Sequence, residues 1–154
     1  KIQSNKEIKE MKQQWGYLAN KMGTIVEDII LPSVVPVLEK YFECEIESVT
    51  ARVKRKKKAV NLRSEFDVIA SSEDTVFLIE TKSSPNEEYL NAFLNKEEVF
   101  RKLCPEYNDK KLIMIYSGIY IEQEIVDLCT SSGVYAMAYK EWDYMDILNF
   151  EKVK

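Results

Sequence analysis

Histidine is absent from all 154 residues of this chain. Its absence excludes Ser–His and Cys–His nucleophilic machinery and zinc sites built on imidazole, so any catalysis must rest on carboxylates, lysine, tyrosine or a metal. Cysteine is scarce as well. Cys44, Cys104 and Cys129 are widely spaced, odd in number and form no CxxC pair, which reads as ordinary buried or half-buried thiols of a reducing compartment. No signal peptide is evident and no apolar run is long enough to cross a membrane, so a soluble, cytoplasmic protein with no membrane partner is expected. No internal repeat or low-complexity linker interrupts the chain. With 45% hydrophobic and 31% charged residues it reads as one soluble domain. A chain of this length buries roughly 70% of its unfolded surface and needs neither disulfide nor structural metal.

The most informative stretch lies in the middle. Phe66-Asp67-Val68-Ile69-Ala70 and Val76-Phe77-Leu78-Ile79-Glu80-Thr81-Lys82 are two apolar strands joined by Ser71-Ser72-Glu73-Asp74-Thr75. A two-residue turn at Glu73-Asp74 pairs Ser72 with Thr75, and counting outward places Asp67 opposite Glu80. Lys82, two residues on, shares a face with Glu80. Adjacent carboxylates on one sheet face repel each other, and a divalent cation would remove that penalty, because hard cations seek convergent carboxylate oxygens. The plainer alternative is charge at strand ends reaching solvent. Against it stands the burial pattern. Ile69, Val76 and Leu78 are expected on the Asp67 face and Phe66, Val68, Ala70, Phe77 and Ile79 on the other, so both faces are apolar, as in the middle of a covered sheet. Charges in such a place need partners.

The net charge of −4 argues mildly against indiscriminate nucleic-acid binding, but its distribution matters more than its sum. Arg52, Lys54, Arg55, Lys56, Lys57 and Lys58 concentrate positive charge in one short span, with Arg63 close behind. A lysine-rich hairpin tip is most commonly a solvated turn. The alternative is an arm that contacts phosphates beside the acidic hairpin, since the basic strand leads directly into the strand of Asp67.

At the N-terminus, Ile8, Met11, Trp15, Leu18, Met22, Ile25 and Ile29 alternate at spacings of three and four, a heptad seam. Residues 1–22 are expected to form a long helix, the end of a coiled coil, with homo-oligomerisation through it. The chain begins on Lys1 rather than Met, which suggests part of a longer helical protein. Pro32 and Pro36 are expected to disturb this helix near its end. Glu27 lies off the seam, on a stripe with Ile30, Leu31 and Val34, and is the third acid placed near the metal. Asp28 and Glu39 read as solvent-facing charges. Further on, a helix is expected over 87–103, a strand over 111–116, a short helix near 121–129 and a strand over 134–139, with the segment from Trp142 unassigned. The order is helix, three strands, helix, strand, helix, strand. That order implies an α/β fold with a mixed sheet, parallel pairs and helices on both faces.

Glu27 on the first helix, Asp67 on the second strand and Glu80-Thr81-Lys82 on the third give a pattern that resembles the PD-(D/E)XK nuclease superfamily, the restriction-endonuclease-like fold. The run Trp15-Gly16-Tyr17-Leu18-Ala19-Asn20-Lys21-Met22-Gly23-Thr24, followed by Glu27 and Leu31-Pro32, is similar to a prokaryotic branch whose members carry a coiled coil ahead of the nuclease-like domain. Phe66 stands where the name-giving proline would be. The resemblance implies an αβββαβαβ core over residues 23–154 and Mg²⁺ or Mn²⁺ on Asp67, Glu80 and the carbonyl of Thr81. Glu27 would hold a second ion or a water on the metal. Lys82 would position or deprotonate the attacking water. Its simpler role is a salt bridge to Glu80 or Asp67. DNA is the implied substrate, with RNA left open. A catalytically silent nucleic-acid-binding module, or a coiled-coil oligomerisation module on the same fold, is the alternative. Tyr116, Tyr120, Tyr135 and Tyr139 read as packing residues with a polar tip, and Glu87 and Glu88 as acids placed by the helix dipole.

Overall fold

The computed structural model describes Glu10, residues 28–140 and residues 144–153. The heptad seam up to Ile25, the proposed coiled coil and Glu27 therefore lie outside the described residues. A helix, α1, covers 28–42. It continues through both Pro32 and Pro36, contrary to the expected disturbance. Both prolines are exposed, while Ile30, Val34, Val37 and Leu38 are buried along the opposite stripe. The missing donors thus face water, and burial of the apolar stripe offsets their loss. Glu39, expected to face solvent, is half-buried and accepts the backbone N–H of Ile46 at 2.9 Å, closing the turn that leaves α1.

Six strands follow: β1 (Ser48–Lys57), β2 (Leu62–Ser71), β3 (Thr75–Thr81), β4 (Lys111–Ser117), β5 (Tyr135–Lys140) and β6 (Tyr144–Ile147). They form one mixed sheet in chain order. The β3–β4 and β4–β5 pairs are parallel and the others antiparallel. The parallel pairs require crossovers, supplied by α2 (Glu87–Leu94) with α3 (Lys96–Leu103) and by α4 (Gln123–Ser131). The expected single helix over 87–103 is two helices broken at Asn95, whose N–H bonds to the carbonyls of Asn91 and Phe93. The break lets α2 pack beside α4 while α3 turns to cover β1 and β2. The segment left unassigned contains β6 and a 3₁₀ turn, Phe150–Lys152. Buried Asn149 ties it down, accepting from the Ala136 N–H and donating to the Val134 carbonyl and Thr130 Oγ1.

Two cores result. Ile69, Val76, Leu78, Leu90, Phe93, Phe100 and Tyr116 pack under α2, α3 and α4. Val68, Ala70, Phe77, Ile79 and Met137 pack under α1. Phe66 belongs to the first core, against Phe100, and not to the second as alternation required. The alternation breaks at Asp67. Across the β1–β2 ladder from it, between the pairs Ala51↔Val68 and Val53↔Phe66, stands Arg52 with a left-handed φ of 53°. A non-glycine residue in that region is uncommon and marks a local distortion.

Candidate active site

The β2–β3 register pairs Val68 with Ile79 and Ser71 with Val76, and the Ser72 N–H donates to the Thr75 carbonyl at 2.8 Å. That register agrees with the turn count, and the ladder ends one step short of Asp67 and Glu80. Asp67 Oδ2 accepts the Thr81 N–H at 2.9 Å and the Thr81 hydroxyl at 3.3 Å. Its carboxylate is thereby held at the carboxyl end of β3, the end at which open α/β sheets place ligands. Neighbouring β4 fixes the backbone there. The Lys82 N–H donates to the Ser117 carbonyl, and the Ser117 hydroxyl donates to the Glu80 carbonyl.

Glu80 is buried. Burial pushes its carboxyl above the usual carboxylate range, the charge of Asp67 pushes it further, and Lys96 and Lys82 act in the opposite direction. Lys82 Nζ lies 3.7 Å from Glu80 Oε2 and 4.5 Å from the centre of the Tyr89 ring. Lys96, at the start of α3, places its Nζ 3.2 Å from Oε1 and 3.4 Å from Oε2 of Glu80 and 2.7 Å from the Glu65 carbonyl. Lys96 and Tyr89 escaped the sequence reading, because a lysine or tyrosine in the first turn of a helix looks like a solvent-facing residue. The only hint was Asn95, a residue type suited to a helix boundary.

The donor set suits a hard divalent cation. Two carboxylates approach one another at a partly buried strand end, and Mg²⁺ commonly takes one or two carboxylates and keeps its remaining shell as water. Among the described residues no group of three or more acidic or sulfur ligands forms a metal cluster. The third acid of the sequence pattern, Glu27, lies outside them. Its neighbour Asp28 pairs with Arg52 at 3.1 Å, which brings the start of the described part of α1 to the strand position facing Asp67.

The basic span is split by the fold. β1 and β2 run on past the end of β3 as a two-stranded ribbon, turned at Lys58–Val60 with Asn61 left-handed. Arg55 turns to Glu106 and the Leu103 carbonyl, and Arg52 engages Asp28. Lys54, Lys56, Lys57, Lys58 and Arg63 are exposed. Lys56 pairs directly with Arg63 across the ladder and Lys54 with Glu65, and a shallow depression runs along this face. A separate cavity of about 210 Å³ lies at the opposite end of the parallel strands, lined among others by Leu94, Glu97, Leu112, Gly133 and Val134. The three cysteines are free, Cys104 and Cys129 buried and Cys44 half-buried. Among the described residues no helix is long and apolar enough to cross a membrane.

No curated protein matches the chain. Among solved structures, protein VC1899 from Vibrio cholerae is similar with a TM-score of 0.51 and 13% identity, over 71% of this chain and 28% of that one. That likeness is one of fold alone, and this chain spans little more than a quarter of that protein. An fdxN element excision controlling factor protein from Anabaena variabilis aligns with a TM-score of 0.41 and 18% identity, over 75% of this chain and 95% of that one. A family model matches residues 37–145, from within α1 to the start of β6, and the chain therefore belongs to DUF8196, described as a domain of unknown function.

Proposed function

We propose that this chain is a metal-dependent nuclease that hydrolyses phosphodiesters of DNA through a PD-(D/E)XK-type site, on a restriction-endonuclease-like arrangement of its mixed sheet. The observation that carries the reading is the meeting of Asp67, Glu80 and Lys82 at one strand end, with Lys82 Nζ 3.7 Å from Glu80 Oε2. Asp67 and Glu80, with the Thr81 carbonyl, would hold Mg²⁺ or Mn²⁺, and Glu27 is the further acid that the sequence pattern contributes. A divalent cation there supplies neutralisation of charge developing on the phosphate and acidifies water. Lys82 orients the attacking water or donates to a phosphate oxygen as charge builds on it, and the Tyr89 ring under its ammonium limits where that donor points. The exposed Lys54, Lys56, Lys57, Lys58 and Arg63 would meet the phosphate backbone on the ribbon beside the site.

A silent binding module on the same fold is the second reading. Its support is that both carboxylates already have partners within the protein, Asp67 on Thr81 and Glu80 on Lys96. The N-terminal heptad seam is compatible with either reading and would pair two such domains. The deciding experiment is cleavage of duplex, single-stranded and branched DNA and of RNA in Mg²⁺ and Mn²⁺, with Lys82→Ala alongside. Cleavage by the parent that is lost in the variant supports the nuclease. Binding without cleavage on every substrate favours the silent module.

A further inference from the structure

Glu80 has two ammonium neighbours, and they contact it differently. Lys82 reaches one oxygen, Oε2 at 3.7 Å, and leans on the Tyr89 ring. Lys96 straddles both oxygens, at 3.2 and 3.4 Å, and completes its contacts on the Glu65 carbonyl at 2.7 Å. Three oxygens around one positive centre form the kind of donor set that a hard cation seeks. An ionised carboxylate as buried as Glu80 requires a partner, and here the partner is a side chain 16 residues further along the chain.

We infer that Lys96 is a positioning residue that stands in for the divalent cation at Glu80 and must swing aside before one binds; the inference rests on the reading of Asp67 and Glu80 as a cation site. An ammonium bonded to both oxygens of Glu80 and a doubly charged ion drawn to the same carboxylate repel each other at close range. The two therefore compete for Glu80. The exit is sterically simple. Lys96 sits in the first turn of α3, its side chain is about a quarter exposed, and its flexible four-carbon stem reaches solvent by rotamer change. The Glu65 carbonyl it releases belongs to an exposed residue that water can serve. Lys82, with its aromatic support, stays in place. Metal affinity is lowered by the fraction of molecules in which Lys96 is closed onto Glu80, so removing that ammonium raises the apparent affinity.

The test is titration of the full chain with Mn²⁺, following free Mn²⁺ by electron paramagnetic resonance, for the parent, Lys96→Met, Lys96→Gln and Lys96→Arg. Lys96→Met and Lys96→Gln are expected to bind Mn²⁺ about tenfold tighter than the parent, and Lys96→Arg no tighter. A purely structural role for Lys96 would leave the affinity unchanged or lower it. Equal or weaker binding by both neutral variants, with native circular dichroism, overturns the role of Lys96 and leaves the cation site standing. Absence of Mn²⁺ binding by the parent and by every variant overturns both. The glutamine variant keeps a donor for the Glu65 carbonyl, so the comparison survives if the methionine variant does not fold.

Discussion

Arg55 grips Glu106 with both arms of its guanidinium, Nη1 to Oε1 at 3.2 Å and Nη2 to Oε2 at 2.6 Å. This bidentate pair, with the bond from Nη1 to the Leu103 carbonyl, pins the basic ribbon to the end of α3. The hydrogen bond from Arg55 is the chief reason that the Glu106 carboxyl titrates below its usual range. A lowered carboxyl contributes stability above its unfolded value and loses it as pH falls through the folded one. The melting-temperature advantage of the parent over Glu106→Gln is therefore expected to shrink on acidification through the carboxylate range. Both side chains are well exposed, so Arg55→Ala should cost only about 1 kcal/mol in denaturant unfolding, and Arg55→Lys should recover little because an ammonium cannot make the forked contact. A gap that is constant with pH would refute this account of the pair.

The exposed face of the ribbon should behave differently. Lys56 and Arg63 pair across the ladder and both face solvent, so replacing either by glutamine should leave stability unchanged or slightly raised, because like charges directly opposite on a sheet repel. Each replacement should weaken nucleic-acid binding and reduce the slope of log affinity against log salt by about 1. Fluorescence anisotropy at several salt concentrations measures this. An unchanged slope would return the ribbon to the status of a solvated turn.

Glu80 carries the opposite sign of linkage. Its carboxyl is raised, chiefly by burial and then by Asp67, so the contribution is present below its unfolded value and is lost as pH rises through the folded one. Glutamine stays neutral throughout. In cation-free buffer the stability of Glu80→Gln relative to the parent is expected to increase from acid to neutral pH. Added Mn²⁺ should stabilise the parent and not the variant. Thermal melts across that range, with and without the ion, check both statements, and a difference that does not vary with pH would contradict the first.

Lys82 and Tyr89 separate chemistry from positioning. Lys82→Ala is expected to lower the cleavage rate by roughly 10²- to 10⁴-fold, the span associated with a positioned proton-transfer group. Tyr89→Ala removes the ring beneath Nζ together with its hydroxyl and should cost about tenfold, with Tyr89→Phe restoring the rate because the ring face is retained. Single-turnover cleavage measures all three. Equal losses for the alanine and phenylalanine variants would show that the hydroxyl, not the ring, matters.

Gly118, just past β4, lies against the turn that follows Lys82. A Cβ there would come within 2.8 Å of the Lys82 carbonyl oxygen and 2.7 Å of Pro85 Cγ. Backbone has to move to admit it, so Gly118→Ala is expected to destabilise by about 1–3 kcal/mol and to reduce cleavage by displacing Lys82. A variant that unfolds at the parent's denaturant concentration and cleaves at the parent's rate would mean that the turn absorbs the methyl group without disturbing the site.

The hairpin was legible because its information is local. Turn length and alternation set the register, and the register carries Asp67 and Glu80 to one strand end, with Lys82 reaching Glu80 there. The element order and the parallel pairs were legible for a similar reason, since apolar runs separated by amphipathic spans admit few arrangements. Several features were misread, among them the following. Pro32 and Pro36 are tolerated because both face solvent, a property of how α1 sits on the sheet. The helix over 87–103 breaks at Asn95 because α2 packs beside α4 while α3 covers β1 and β2. Phe66 changes face because the ladder distorts between Arg52 and Asp67. Each depends on what a distant element presses against.

By itself the sequence determined which side chains could do chemistry: no imidazole, two acids and a lysine brought together by one hairpin, and a run of cations leading into it. Backbone periodicity and turn length suffice for that, because they act over a few residues. Only the tertiary structure decided the burial and company of those groups. Lys96 and Tyr89 reach Glu80 and Lys82 because the helices that carry them pack on the sheet, and Arg55 turns away from the basic face because α3 delivers Glu106 to it. Electrostatic partnership depends on distance through space, and between residues of different elements that distance is set by packing rather than by separation along the chain.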